Sequence, residues 1–138
     1  MGKKKAHSLT YRGVTYRSLL EIEVVKMLDK LKKKAKAKVT YESEALPYTL
    51  PERLYVPDFV VTRQDGSVLY IEVKGYLDRD STRKMLAVKE CNPDKEFCFL
   101  FAKDNPIRKG AKMRYSDWCN KHNFNYSIGK IPEEWLKS

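Results

Sequence analysis

Residues 54–75 read Leu54-Tyr55-Val56-Pro57-Asp58-Phe59-Val60-Val61-Thr62-Arg63-Gln64-Asp65-Gly66-Ser67-Val68-Leu69-Tyr70-Ile71-Glu72-Val73-Lys74-Gly75, and this stretch decides the fold. Two runs rich in β-branched and aromatic residues flank Asp65-Gly66, which predicts a hairpin with its turn over Gln64–Ser67. Pro57 has no amide hydrogen, so the first arm, Leu54 to Val61, is expected at a sheet edge or bulged at Pro57. Strand side chains alternate, so Glu72 and Lys74 share one face about 7 Å apart. Ile71 and Val73 point the other way, into the core. The arms lie about 4.8 Å apart, which lets Asp58 sit near Glu72.

On the N-terminal side, Leu20, Val24, Leu28 and Leu31 form one apolar stripe at helical spacing. Ser18 with Glu21 three residues on is a capping box, so a helix is expected from about Leu19 to about Lys34. Val39-Thr40-Tyr41-Glu42 reads as a strand. Pro47 and Pro51 bracket Tyr48-Thr49-Leu50, and the stiff, extended segment reads as a bridge between two parts, one that resists folding back on its own chain. On the C-terminal side, Asp80 or Ser81 is expected to cap a helix to about Cys91. Phe97 to Ala102 is a buried strand, Ser116 caps a short helix, and Pro132 opens a last one. The order of elements predicts a mixed α/β fold.

The 138 residues fit one domain with a real core. The longest apolar run has six residues, Phe97 to Ala102, too short for a membrane span of about 20. No apolar segment follows the basic start, so a secretory signal is not expected. Three cysteines without Cys-x-x-Cys spacing read as reduced thiols of a cytosolic protein. Cys119 and His122 lie one helical turn apart, but no second pair accompanies them, so zinc is not expected. The net charge is +10, and nearly all of it falls in residues 1–40, with 12 basic and 3 acidic side chains. Such asymmetry points to phosphates or an anionic surface.

Asp58, Glu72 and Lys74 carry the chemistry. Hard oxygen donors without histidine or thiolate favour Mg²⁺ or Mn²⁺. A bound ion of this kind activates water and polarises a phosphodiester. Lys74 would position the attacking water or offset charge on the phosphate. Glu21, although fully explained as part of the cap, is a fourth acid that would allow a second ion. Glu72 and Lys74 alone are equally a surface ion pair worth under about 1 kcal/mol. Pro-Asp, a hairpin-length gap and Glu-Val-Lys-Gly together are far more specific, and point to a metal-dependent nuclease.

These residues resemble the Pro-Asp…(Asp/Glu)-x-Lys motif of the restriction-endonuclease-like superfamily. Tyr16-Arg17-Ser18-Leu19-Leu20-Glu21, the Leu46–Pro51 bridge, Tyr55-Val56-Pro57-Asp58-Phe59, Glu72-Val73-Lys74-Gly75, Tyr115 to Cys119, Lys121-His122 and Ile131-Pro132-Glu133-Glu134-Trp135 further resemble the endonuclease I family of T-odd bacteriophages, which are Holliday-junction resolvases. The resemblance covers about residues 11–137. It implies a restriction-endonuclease-like mixed β-sheet flanked by helices, in an intertwined, segment-swapped homodimer. Residues 1–46 would be an N-terminal arm and helix given to the partner, 47–53 the bridge and 54–138 the catalytic core of one nuclease domain. Each site would join Glu21 of one chain to Asp58, Glu72 and Lys74 of the other. It would hold two Mg²⁺ (or Mn²⁺) ions, with the Val73 carbonyl also a ligand and no small-molecule cofactor. The substrate would be branched DNA, four-way junctions first, cut symmetrically by a phage protein in the cytoplasm of a bacterial host. The family carries an additional acid after the first helix where this chain has Thr40. Glu42 or Glu44 would substitute, or the role is absent.

The basic residues then have a use. Lys3, Lys4, Lys5, Arg12, Arg17, Lys33 and Lys34 would line channels for the DNA arms. Arg79, Arg83 and Lys84 would hold phosphates near the cut, with Arg108, Lys109, Lys112 and Arg114 a second patch. Such contacts bind without reading sequence. A sequence-specific restriction or transposase-type nuclease of the same superfamily would carry the same four site residues. A non-catalytic DNA-binding protein with this fold has no need of clustered acids.

Overall fold

The structure is a computed structural model and describes residues 9–48 and 53–138. A small hairpin, β1 (Thr10–Tyr11) and β2 (Val14–Thr15), leads into helix α1 (Leu19–Ala35). Strands β3 (Lys38–Tyr41), β4 (Leu46–Tyr48), β5 (Arg53–Tyr55), β6 (Phe59–Thr62) and β7 (Val68–Lys74) follow. Then come α2 (Arg79–Cys91), β8 (Glu96–Phe101), α3 (Tyr115–Lys121), β9 (Asn125–Ile128) and a 3-10 turn, Glu133–Trp135. Five strands form one sheet in the order β3-β6-β7-β8-β9.

The expected hairpin is present. β6 and β7 pair antiparallel from Phe59 with Ile71 to Thr62 with Val68. Gly66 turns the loop at φ +89°, and the Asp65 carboxylate accepts the Ser67 amide at 2.9 Å. The proline arm differs from expectation. Instead of one edge strand bulged at Pro57, the chain breaks there. Arg53–Tyr55 belongs to a separate two-stranded sheet with β4, and Phe59–Thr62 lies inside the main sheet between β3 and β7. A residue that cannot donate a ladder hydrogen bond marks the point where the chain changes sheets.

Helix α1 matches its stripe and starts at Ser18, whose hydroxyl accepts the Glu21 amide at 3.1 Å. Lys36, in the left-handed conformation at φ 55°, ends it. The cap of α2 is Asp78 rather than Asp80 or Ser81, with its carboxylate accepting the Ser81 amide at 2.8 Å. Ser116 does not cap α3. It donates its amide and hydroxyl to Asp104, and Arg114 holds the cap position.

Apolar side chains cover both faces of the sheet. Phe59, Val61, Leu69, Ile71, Cys98 and Leu100 pack with Val24, Val25 and Leu28 of α1. Val60, Tyr70, Phe97, Phe99 and Phe101 pack with Met85 and Val88 of α2 and Trp118 and Cys119 of α3. Phe99 stacks on Phe101 at 5.3 Å and meets the edge of Trp118 at 5.9 Å. Each such buried side chain contributes roughly 1.5–3 kcal/mol. Glu72 lies on a covered face for the same reason, one strand step from Tyr70.

The segment expected to resist folding back does not do so where it is described. Leu46-Pro47-Tyr48 folds back on its own chain, pairing antiparallel with Arg53-Leu54-Tyr55 and burying Leu46, Tyr48 and Tyr55 on the α2 side. The Asn92 side chain donates to the Pro47 carbonyl at 3.0 Å. Thr49, Leu50, Pro51 and Glu52, and the basic Lys3, Lys4 and Lys5, lie outside the described residues. Among the described residues no helix is long and apolar enough to cross a membrane.

Candidate active site

The acids gather at one end of the sheet because three elements finish there. Asp58 stands one residue before β6, Glu72 near the end of β7, and Glu21 in the first turn of α1. All three are buried, at 3%, 8% and 5% exposure. Carboxylates are almost never this buried without partners, and each has them.

Asp58 accepts the Val73 amide at 2.8 Å and the Arg17 guanidinium at 2.9 Å. Val73 therefore fixes Asp58 through its backbone across the hairpin. Glu21 accepts the Arg17 amide at 2.9 Å and the Tyr41 hydroxyl at 2.7 Å through the same oxygen. The capping box is thus only half formed, because the carboxylate reaches to Arg17 rather than to the Ser18 amide. That turn leaves Glu21 both capping the helix and facing the other acids. Glu72 accepts the Tyr55 hydroxyl at 2.7 Å on one oxygen and faces the Lys74 ammonium at 3.3 Å on the other.

Among the described residues, carboxylate oxygens of Glu21, Glu42 and Asp58 lie within 4.8 Å of one another. Glu42 thus joins Glu21 and Asp58 in a close group. Glu72 stands beside it, held by Tyr55 and Lys74, and is near enough to perturb Asp58. Burial, then the Glu72 charge, push the Asp58 pKa up to about 8 against the pull of the Val73 amide, with Glu21 adding to the rise. These acids cannot all ionise cheaply without a positive charge among them. The possible ligand atoms of the group are carboxylate oxygens, which suit a hard divalent cation.

Arg17 supplies that positive charge. Its guanidinium bridges Asp58 and, at 2.6 Å, Glu42. Burial works against its cation, yet Tyr41, Asp58, Glu42 and Glu21 outweigh it and raise its pKa. Sequence reasoning placed Arg17 on a DNA channel. Here it is committed to the acids. Tyr41 and Tyr55 were missed. A buried phenol needs a partner, and their places beside Glu42 and three residues before Asp58 were the available signal.

The expected basic residues fall in several places. Arg12 turns the β1–β2 hairpin, near Asp29 at 3.7 Å. Lys33 and Lys34 are exposed at the end of α1, and Lys34 pairs with Glu133 at 3.2 Å. Arg83 and Lys84 line a cleft of about 510 Å³ with Lys74, Tyr48 and Arg53, and Arg53 was not foreseen. Arg79 opens α2, between Asp78 and Asp80, which also line that cleft. Lys109 lines a second hollow with Tyr76, Lys103 and Arg108, while Lys112 is exposed on the same loop. Cys119 is buried within α3, and the His122 ring packs on Trp118 at 4.8 Å.

A mixed sheet with a proline-interrupted chain, buried acids and a lysine at one end defines an α/β protein with an oxygen-donor site fit for a hard cation. The chain belongs to the phage endonuclease I family, which it matches along residues 1–138. It is similar to endodeoxyribonuclease 1 of Enterobacteria phage T3, 32% identical over 129 residues, covering 91% of this chain and 80% of the relative. It is also similar to endonuclease I of Escherichia phage T7, 30% identical over 125 residues, covering 88% and 78%.

Proposed function

We propose that the chain is a divalent-metal-dependent DNA endonuclease of restriction-endonuclease-like type that resolves four-way junctions and other branched DNA as a homodimer. The observation that carries the reading is the gathering of half-buried Glu42 with buried Glu21 and Asp58 beside Glu72 and Lys74. Family membership and the relatives' names support a nuclease acting on DNA.

Glu21, Asp58 and Glu72, with the Val73 carbonyl, would hold one or two Mg²⁺ or Mn²⁺ ions. Such ions, when bound, supply a nucleophilic water and charge stabilisation for phosphodiester hydrolysis. The Val73 amide and Tyr55 hydroxyl keep Asp58 and Glu72 in fixed orientations. Lys74 stands beside Glu72, where its ammonium orients water or offsets charge on the phosphate. Arg53, Arg83 and Lys84 line the adjoining cleft and hold backbone phosphates without reading bases.

The homodimer would exchange residues 1–46 through the bridge. Exchange would keep the contacts described above but draw Arg17, Glu21, Tyr41 and Glu42 together from the other chain. Two symmetric sites then cut opposing strands of a junction.

The test is cleavage and binding of a four-way junction by D58N and E72Q. Both variants should bind the junction and fail to cut it. Undiminished cutting would remove the site. Discrete cuts at one sequence in linear duplex would favour a restriction-type enzyme instead.

A further inference from the structure

Glu42 lies just past β3 with its backbone in the left-handed region at φ 48°. Its amide donates to the Asp58 carbonyl at 3.2 Å, which pins it against the segment that carries Asp58. Its carboxylate is 2.6 Å from Arg17 Nη2, and the same nitrogen is 2.9 Å from Asp58 Oδ1. One cationic nitrogen thus bridges two acids, of which Asp58 is almost fully buried.

The neighbours are engaged elsewhere. Thr40 hydrogen-bonds the Ser43 hydroxyl. Glu44 accepts the Tyr70 hydroxyl at 3.0 Å. Of the residues between 40 and 44, Glu42 alone brings a carboxylate into the group with Glu21 and Asp58.

We propose that Glu42 is a cation ligand of this site and that the Arg17 guanidinium is the counter-charge exchanged for the cation. The proposal rests on the metal-dependent reading above. Without a cation, Arg17 bridges Glu42 and Asp58 and supplies the positive charge of the group. Its side chain is 65% exposed, so it leaves at little desolvation cost, whereas the acids stay in place. Released, it stands at the rim of the site with a guanidinium suited to a phosphate oxygen. A fixed structural ion pair would instead compete with the cation at no benefit.

The experiment titrates Mn²⁺ into the full chain without DNA, by calorimetry, for wild type, E42Q, E44Q, D58N and R17M, with melting temperatures read with and without Mn²⁺. E42Q should weaken Mn²⁺ binding at least about tenfold, the scale on which even the hydrogen-bond partners of ligands act. E44Q should leave it unchanged. R17M should lower the melting temperature of the metal-free protein and tighten Mn²⁺ several-fold. Wild-type affinity in E42Q alongside lost affinity in D58N would overturn Glu42 as a ligand and leave the nuclease reading intact. Unchanged affinity in R17M, with equal melting losses with and without Mn²⁺, would overturn the exchange. No Mn²⁺ binding by wild type would overturn the metal-dependent reading itself. E42D serves as a second variant, since it keeps the charge and should retain part of the affinity.

Discussion

Tyr55 and Glu72 meet across the break at Pro57, the phenol donating to the carboxylate at 2.7 Å with both side chains buried. Burial, and after it the Glu72 charge, hold the Tyr55 hydroxyl protonated, well above its ordinary pKa. Tyr55 is therefore a fixed donor at every working pH. Y55F should cost about 1–3 kcal/mol by leaving a buried oxygen short of a partner. Urea unfolding measures that loss. Junction cutting should fall while junction binding holds, because Glu72 loses its anchor but the basic cleft is untouched.

Exchange between protomers has a decisive genetic test. E21Q and D58N are each expected to be inactive alone. Co-expressed, an exchanged heterodimer has one site with wild-type Glu21 and Asp58 and one with both changes. Nicking of a junction should return in the mixture. In a dimer without exchange every site keeps one lesion and the mixture stays dead.

The raised Asp58 pKa fixes the sign of a pH effect on the cation-free protein. The folded state holds the Asp58 proton up to about 8, while the unfolded chain releases it near the ordinary carboxylate value of about 4. Between those values the native state binds more protons, so stability falls as pH rises and levels off above about 8. Melting in EDTA should show this decline, and D58N should flatten it. Added Mg²⁺ should restore stability at the upper end of the window.

The cleft of Arg53, Arg83 and Lys84 should bind any DNA backbone. R83A with K84A is expected to weaken junction and duplex alike. The salt dependence should lose about 0.9 in its log–log slope for each phosphate contact removed. Fluorescence anisotropy at several salt concentrations reads both. A loss confined to one DNA sequence would show base reading instead.

The sequence disclosed what was local. The Asp65-Gly66 turn and period-two alternation placed Asp58, Glu72 and Lys74 at one sheet end, and the Ser18 cap placed Glu21. It did not disclose Glu42 and Arg17 as partners, because their meeting depends on β3 pairing with β6 in the register Tyr41 opposite Phe59. It also put Pro57 at an edge or a bulge. The residue does refuse a ladder hydrogen bond, but the chain answers by leaving one sheet for another, and that choice depends on where Leu46 and Tyr48 are buried.

The order β3-β6-β7-β8-β9 sets a timetable for biosynthesis. β7 is at the centre, yet its parallel neighbour β8 follows one helical crossover, and β9, parallel to β8, follows a second and ends only at Ile128. A nascent polypeptide can close the β6–β7 ribbon early, but the aromatic layer behind Glu72 waits for Trp118 and Phe124. Termination before α3 therefore removes part of the layer behind Glu72, and such fragments expose strand edges that invite aggregation.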